Sequence, residues 1–260
     1  MPLHTSVGVF PGKPLKGNER FAKLYHYTKF ETFIKIWLSK KLKFGHISGL
    51  NDINEVWKGI TVPIVEGPTP NGFRDYEELL LRANEIINSY KQISLTKNYD
   101  SYLKGCMSPM MWGQYGDKGN GVCIELEYSK IKLPADVFAN NVKYINLSKM
   151  FKFNPILLFK QDLLEQNIVK HRKELFFTKT IEWKGENEFR FITKDHDYLD
   201  ISSAITAIYI TKLVSENTFM VEDLVNGKVP VRVLWYIEKN GERIPILPNS
   251  KTIRDQLYGV

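Results

Sequence analysis

The chain has 260 residues, enough for one large domain or two small ones, and 43% of them are hydrophobic, sufficient to bury a core. Its formal charge of +7 and isoelectric point near 9.1 favour anionic partners such as nucleic acid or nucleotides. Cys106 and Cys123 are the only cysteines, outside any CxxC or cysteine–histidine zinc spacing, which excludes a disulfide scaffold and a zinc module. Two cysteines fit a reducing compartment. No charged-then-apolar leader opens the chain, and no apolar run reaches the length of a membrane helix. The expectation is a soluble, cytoplasmic protein without membrane association.

Residues 1–20 carry little periodicity and read as an extended arm, leaving 21–260 as the folded domain. "KLYHYT" predicts a short aromatic strand, and Thr28 with Glu31 has the spacing of a capping box at a helix start. Phe30, Phe33, Ile34, Trp37 and Leu38 then recur on one helical face. "KLKFGHI" predicts the next strand, and "SGLNDINE" is dense in turn formers. A second helix is expected near 74–91, with Tyr76, Leu79, Leu80, Ala83, Ile86, Ile87 and Tyr90 as its stripe. "QISLT" reads as a strand and "SPMMWGQYGDKGNG" as a short helix or loop. "VCIELEY" and "NVKYINL" read as strands, with Glu125 and Glu127 on one face of the first. One long helix or two, basic toward the end, should follow, then an alternating strand at "NEFRFITK". "TAIYIT" and "VRVLWYIE" flank a helix near 216–226, and "KNGERIPIL" carries the Asn-Gly signal of a tight hairpin. Mixed strands interrupted by helices, without regular alternation, predict a single α+β domain with mixed or antiparallel sheets.

Glycine-rich phosphate loops, HExxH and GxSxG are all missing from the sequence. What remains is sparser. His26 stands between Tyr25 and Tyr27 where a strand hands over to a helix, a position suited to a hydrogen-bond donor flanked by stacking rings. Ser94 and Thr96 share a strand face. On a continuous strand, Glu186, Glu188 and Arg190 share one face too, and two carboxylates at alternate positions suit a paired-carboxylate site. Met110, Met111, Trp112 and Tyr115 suit either core packing or the floor of a pocket for a flat ring. "KDHDYLD" at 194–200 reads as a solvated turn rather than a metal site, and "KHRK" at 170–173 as a solvated helix face, with phosphate contact as its alternative.

The ordered blocks "LYHYT" at 24–28, "LNDINE" at 50–55, "ISLT" at 93–96, "MWGQYGDKGNGVCIE" at 111–125 and "KTIEWKGENEFR" at 179–190 resemble the bacterial family called domain of unknown function 2971. That resemblance runs over roughly residues 22–238. It brings a bacterial setting and an association with phage defence or toxin activity, but no mechanism. More distantly, a histidine ending a first strand, a hydroxyl-bearing strand and a Glu-x-Glu strand resemble the ADP-ribosyltransferase fold. This second resemblance implies NAD as substrate. It places His26 on the ribose–nicotinamide half, Tyr27 or Tyr115 in a stack with nicotinamide, Trp112 on the pocket floor, and Ser94 and Thr96 as braces. Glu188 becomes the catalytic carboxylate and Glu186 its partner toward the acceptor, with Asn51, Asp52 and Arg190 supporting the substrate.

Two alternatives stand beside an NAD-consuming transferase or glycohydrolase. A metal-dependent nuclease would gather Asp52, Glu55, Glu125, Glu127, Glu186 or Glu188 around Mg²⁺. A non-catalytic module would bind nucleic acid or protein through basic charge and aromatic stacking. The NAD reading needs no metal.

Overall fold

The computed structural model describes residues 23–49, 72–99, 103–146, 164–211, 215–239 and 242–246. The expected arm at 1–20 and the Asn51–Asp52–Glu55 turn lie outside them. Strand β1, Lys23–Thr28, runs into helix α1, Phe30–Ser39. The expected capping box does not form. The N-cap is Lys29, in extended conformation and without a side-chain cap, because Thr28 is still the last residue of β1. The buried stripe of α1 is Phe33, Ile36 and Trp37, while Leu38 is 71% exposed. The helix is rotated by roughly one position from the expected face.

"KLKFGHI" splits at Phe44 into β2, Lys41–Lys43, and β3, Gly45–His46. Helix α2 covers Gly72–Asn88 and strand β4 covers Lys91–Lys97. A short helix α3, Pro109–Gln114, precedes β5, Val122–Glu127. Of "NVKYINL", Lys143–Ile145 form β7, while its first residue, Asn141, ends a strand β6, Phe138–Asn141, that was not expected. The basic helical stretch is α4, Leu164–Lys170, and α5, Arg172–Phe176, followed by β8, Thr178–Thr180. Then come β9, Glu188–Thr193, β10, Tyr198–Asp200, and β11, Ile205–Thr211. Helix α6, Ser215–Val225, leads to β12, Val231–Lys239, and β13, Glu242–Ile246, whose antiparallel register pairs Lys239 with Glu242. The α+β class with mixed sheets is as expected, with no closed barrel among the described residues.

The backbone gathers into two units that are interleaved in sequence. One takes residues up to 42, 95–132 and 200 onward; the other takes 43–94 and 133–199. In the first, β5 lies between β1 and β11, antiparallel to both. Beyond β11 the order continues through a parallel β12 to β13. One face of this sheet carries Tyr25, Tyr27, Cys123 and Tyr209, packed with Cys106, Met107, Met111, Trp112 and Leu234. Within the same unit the Trp37 indole donates to the Leu224 carbonyl, joining α1 to α6.

The second unit centres on β9, which pairs antiparallel with β6. All six residues of β9 are buried, so it is covered on both faces rather than half-exposed as alternation suggests. Ala83, Ile87, Tyr90, Leu164, Ile168, Leu175, Phe176 and Phe177 form the core with Ile192, and the Tyr90 and Phe176 rings lie 4.6 Å apart. Arg172, in the run read as a solvated face, instead lays its guanidinium over the Phe138 ring at 4.3 Å. No helix of the described residues is long and apolar enough to cross a membrane.

Candidate functional site

Glu186 and Glu188 do not share a strand. Residues Ile181–Glu186 form a 3₁₀ turn, Asn187 adopts a left-handed conformation at φ 46°, ψ 52°, and β9 begins only at Glu188. Asparagine is one of the few residues that tolerate this conformation. The turn breaks the alternation that would have aligned three side chains, yet the carboxylates still meet, because a lysine gathers them. Lys179 Nζ donates to Glu186 Oε2 at 2.6 Å and lies 3.6 Å from Glu188 Oε2. It also sits 4.6 Å from the centroid of the Trp183 ring.

Arg190 fixes Glu188 from the other side. Its Nε donates to Oε1 at 2.5 Å and its Nη2 to Oε2 at 2.8 Å, while Nη1 donates to the Phe176 carbonyl. The Glu188 amide donates to the Tyr144 hydroxyl. Burial, and then the two nearby carboxylates, push the Tyr144 phenol above its ordinary range. Lys179, Glu186, Glu188 and Arg190 are 5%, 4%, 3% and 1% exposed. Two cations and two carboxylates cancel, and buried charge is tolerable only when paired and hydrogen-bonded in this way. Sequence reasoning missed Lys179 and Tyr144, although Lys179 opens the "KTIEWKGENEFR" block.

The other candidate residues fall into separate groups. His26 and Tyr27 project to opposite faces of the sheet: Tyr27 pairs with Cys123 on the aromatic face, His26 with Ile124 on the other. His26 is half-buried. Tyr27 is buried, donates its hydroxyl to the Gly105 carbonyl and takes Trp112 edge-on at 5.1 Å. The Trp112 indole donates to the Cys106 carbonyl at 2.8 Å. Both rings are therefore engaged within the core, and Tyr115 lies at its margin. Thr96 is buried opposite Tyr25, whereas Ser94 is exposed and accepts from Gln92 Nε2 at 3.1 Å. His26, Tyr27, Thr96, Trp112 and Tyr115 belong to the first unit, and Ser94, Glu186, Glu188 and Arg190 to the second.

Glu125 and Glu127 share one face as expected, with Lys23 between them, 3.4 Å from Glu125 Oε1 and 2.7 Å from Glu127 Oε2. Thr206 donates to Glu125 Oε1 and Tyr209 to Oε2, both at 2.7 Å. Burial alone raises the Glu125 carboxyl. The two hydroxyl donors and the charges of Lys23 and Lys104 outweigh it, so the net position is below the usual carboxylate range. In "KDHDYLD", Lys194 bonds Glu165, His196 bonds Asp136 and Asp197 accepts from Lys91. No cluster of three or more histidine, cysteine or acidic side chains arranged for a metal occurs among the described residues.

The two blocks that carry the aromatic motif and the Glu–Arg pair also carry a family signal. Residues 111–191 match the family described as protein of unknown function (DUF2971). The matched segment holds Trp112, Tyr115, Glu186, Glu188 and Arg190 but not the strands bearing His26, Ser94 and Thr96. No curated protein and no solved structure matches the chain.

Proposed function

We propose that the protein consumes NAD, as an ADP-ribosyltransferase or an NAD glycohydrolase, with Glu186 and Glu188 as its working carboxylates. The observation that supports this reading is the convergence of both carboxylates on Lys179 at the start of β9. Cleavage of the nicotinamide–ribose bond sends the bonding electrons out with nicotinamide and leaves positive charge on the sugar. A fixed carboxylate in a water-poor setting stabilises that charge as it develops. Water or a nucleophilic acceptor then bonds to the anomeric carbon and releases a proton. In this reading the Arg190 fork holds Glu188 rigid, and Glu186 faces the acceptor.

The test is nicotinamide release from NAD by the purified chain, followed by chromatography, alone and with single-stranded DNA, RNA or cell extract. Release that Glu186→Gln abolishes in a protein with unchanged circular dichroism is the expected result. No release under any condition removes the reading.

One observation favours a second reading, a non-catalytic module that binds nucleic acid or protein. Arg190 occupies both oxygens of Glu188, and the whole four-charge cluster is nearly inaccessible. Those properties suit an internal brace. Binding without turnover, by a protein whose Glu186→Gln form binds equally well, would select it.

A further inference from the structure

The loop following β10 is tied to lysine-bearing backbone on two sides. The Ile201 amide donates to the Lys40 carbonyl at 2.9 Å, and the Ser203 hydroxyl donates to the Lys130 carbonyl at 3.0 Å. These bonds bring the residue pairs Lys40–Lys41 and Lys130–Lys132 to the same loop, within one of the two units. The charges of Lys41 and Lys132 both reach the Asp200 carboxylate. That carboxylate is held below its usual range first by hydrogen bonds from Ser202 and then by the two lysines. Lys228 lies close enough to Lys40 for the two like charges to repel, and the Lys40 amine is lowered to about 8, first by desolvation and then by Lys228. Its Nζ rests over the Trp37 ring with no hydrogen-bond partner.

Lys23, Lys91, Lys179 and Lys194 all lie within 4 Å of a carboxylate. Lys41, Lys130 and Lys132 are exposed and enter no ion pair within 4 Å among the described residues, and the charges of Lys41 and Lys132 reach Asp200. Three exposed lysines at a loop with one carboxylate, beside exposed Ser202 and Ser203 hydroxyls, form a local excess of positive charge. Uncompensated like charges carry a self-repulsion that an incoming polyanion relieves.

We infer that this lysine band is a docking surface for the phosphodiester backbone of nucleic acid, read by charge and not by sequence. The apolar residues of the loop, Ile201 and Ala204, are buried, so the loop offers hydroxyls and ammonium groups rather than a side chain to insert into lipid. The exposed Leu38 on α1 makes a lipid comparison necessary all the same. The inference does not depend on the carboxylate site or on NAD.

The experiment is fluorescence anisotropy with labelled single-stranded DNA and RNA of unrelated sequences across a salt series. It compares the full chain with Lys41→Glu/Lys130→Glu/Lys132→Glu and with a milder triple glutamine form. A second reversal, Lys170→Glu/Lys173→Glu, probes the other basic run. Sequence-independent binding is expected, with affinity falling as salt rises. The band reversal should weaken it at least about tenfold and flatten the salt slope by about 2, near 0.7 per lost single-strand phosphate contact. The glutamine form should lie between, and the Lys170/Lys173 form should bind as the parent does. Three results would each overturn the inference: no binding by the parent chain, loss of binding only in the Lys170/Lys173 form, or binding to anionic vesicles without binding to nucleic acid.

Discussion

Replacing Glu188 with glutamine keeps the shape of the side chain and removes its charge. In the native cluster that charge serves two bonds from Arg190 and lies 3.6 Å from Lys179. After the change, Arg190 and Lys179 lose that carboxylate charge in a region at most 5% exposed. Breaking a buried pair from one side costs about 3–5 kcal/mol. At about 2–4 °C per kcal/mol for a chain of this size class, the melting temperature should fall by roughly 10 °C. Arg190→Met should cost a similar amount. The double form Glu188→Leu/Arg190→Met should cost clearly less than the sum, because both charges of the pair leave together, although the Phe176 carbonyl loses its Arg190 donor. Urea unfolding monitored by circular dichroism measures all three. A Glu188→Gln protein within about 0.5 kcal/mol of the parent would refute the reasoning that this carboxylate holds the interior together.

Gly121→Ala should destabilise by about 1–3 kcal/mol, since a β-carbon there would lie 2.2 Å from the Thr28 carbonyl oxygen; thermal unfolding measures it. Trp112→Phe should cost about 1–3 kcal/mol by leaving the Cys106 carbonyl without its buried donor, read in the same way. Glu125 titrates below its unfolded value, so its stabilisation is complete above the unfolded carboxylate range and is lost as pH falls through its folded value. Thr206→Val removes one donor and should move the acid-unfolding midpoint to higher pH, followed by near-ultraviolet circular dichroism. Lys40 is the opposite case. Its lowered amine disfavours the folded state at neutral pH, and that disadvantage fades as pH rises from about 8 through the ordinary lysine range. Lys40→Met should therefore raise the melting temperature at neutral pH and make little difference at strongly alkaline pH.

The places of several elements were legible from apolar runs and turn residues. β1, β5 and α2 fall where they were expected, and β12 and β13 pair antiparallel with Lys239 opposite Glu242. Legibility failed where a single backbone angle or a covered face intervened. The left-handed Asn187 took Glu186 off the strand, and β9, buried on both sides, could not show its surroundings through alternation. At the candidate site, the Glu188–Arg190 pairing follows directly from two-residue spacing. Lys179, nine residues before Glu188, is joined to it only by the path of the chain through the 3₁₀ turn. The opposed faces of His26 and Tyr27 were implicit in strand alternation, but their separation became plain only once Tyr27 proved to be packed against Trp112.

The interleaving of the two units bears on how the chain can be divided. The backbone passes from one unit to the other near residues 42, 94, 132 and 199. The segment 111–191 that carries the family match contains β5, yet both partners of β5, β1 and β11, lie outside it. Excised alone, that segment would bare two hydrogen-bonding edges on the apolar strand "VCIELE", a template for aggregation. The recognisable signature of this chain is thus not a module that can be moved between proteins. It has meaning only within the longer polypeptide that closes around it.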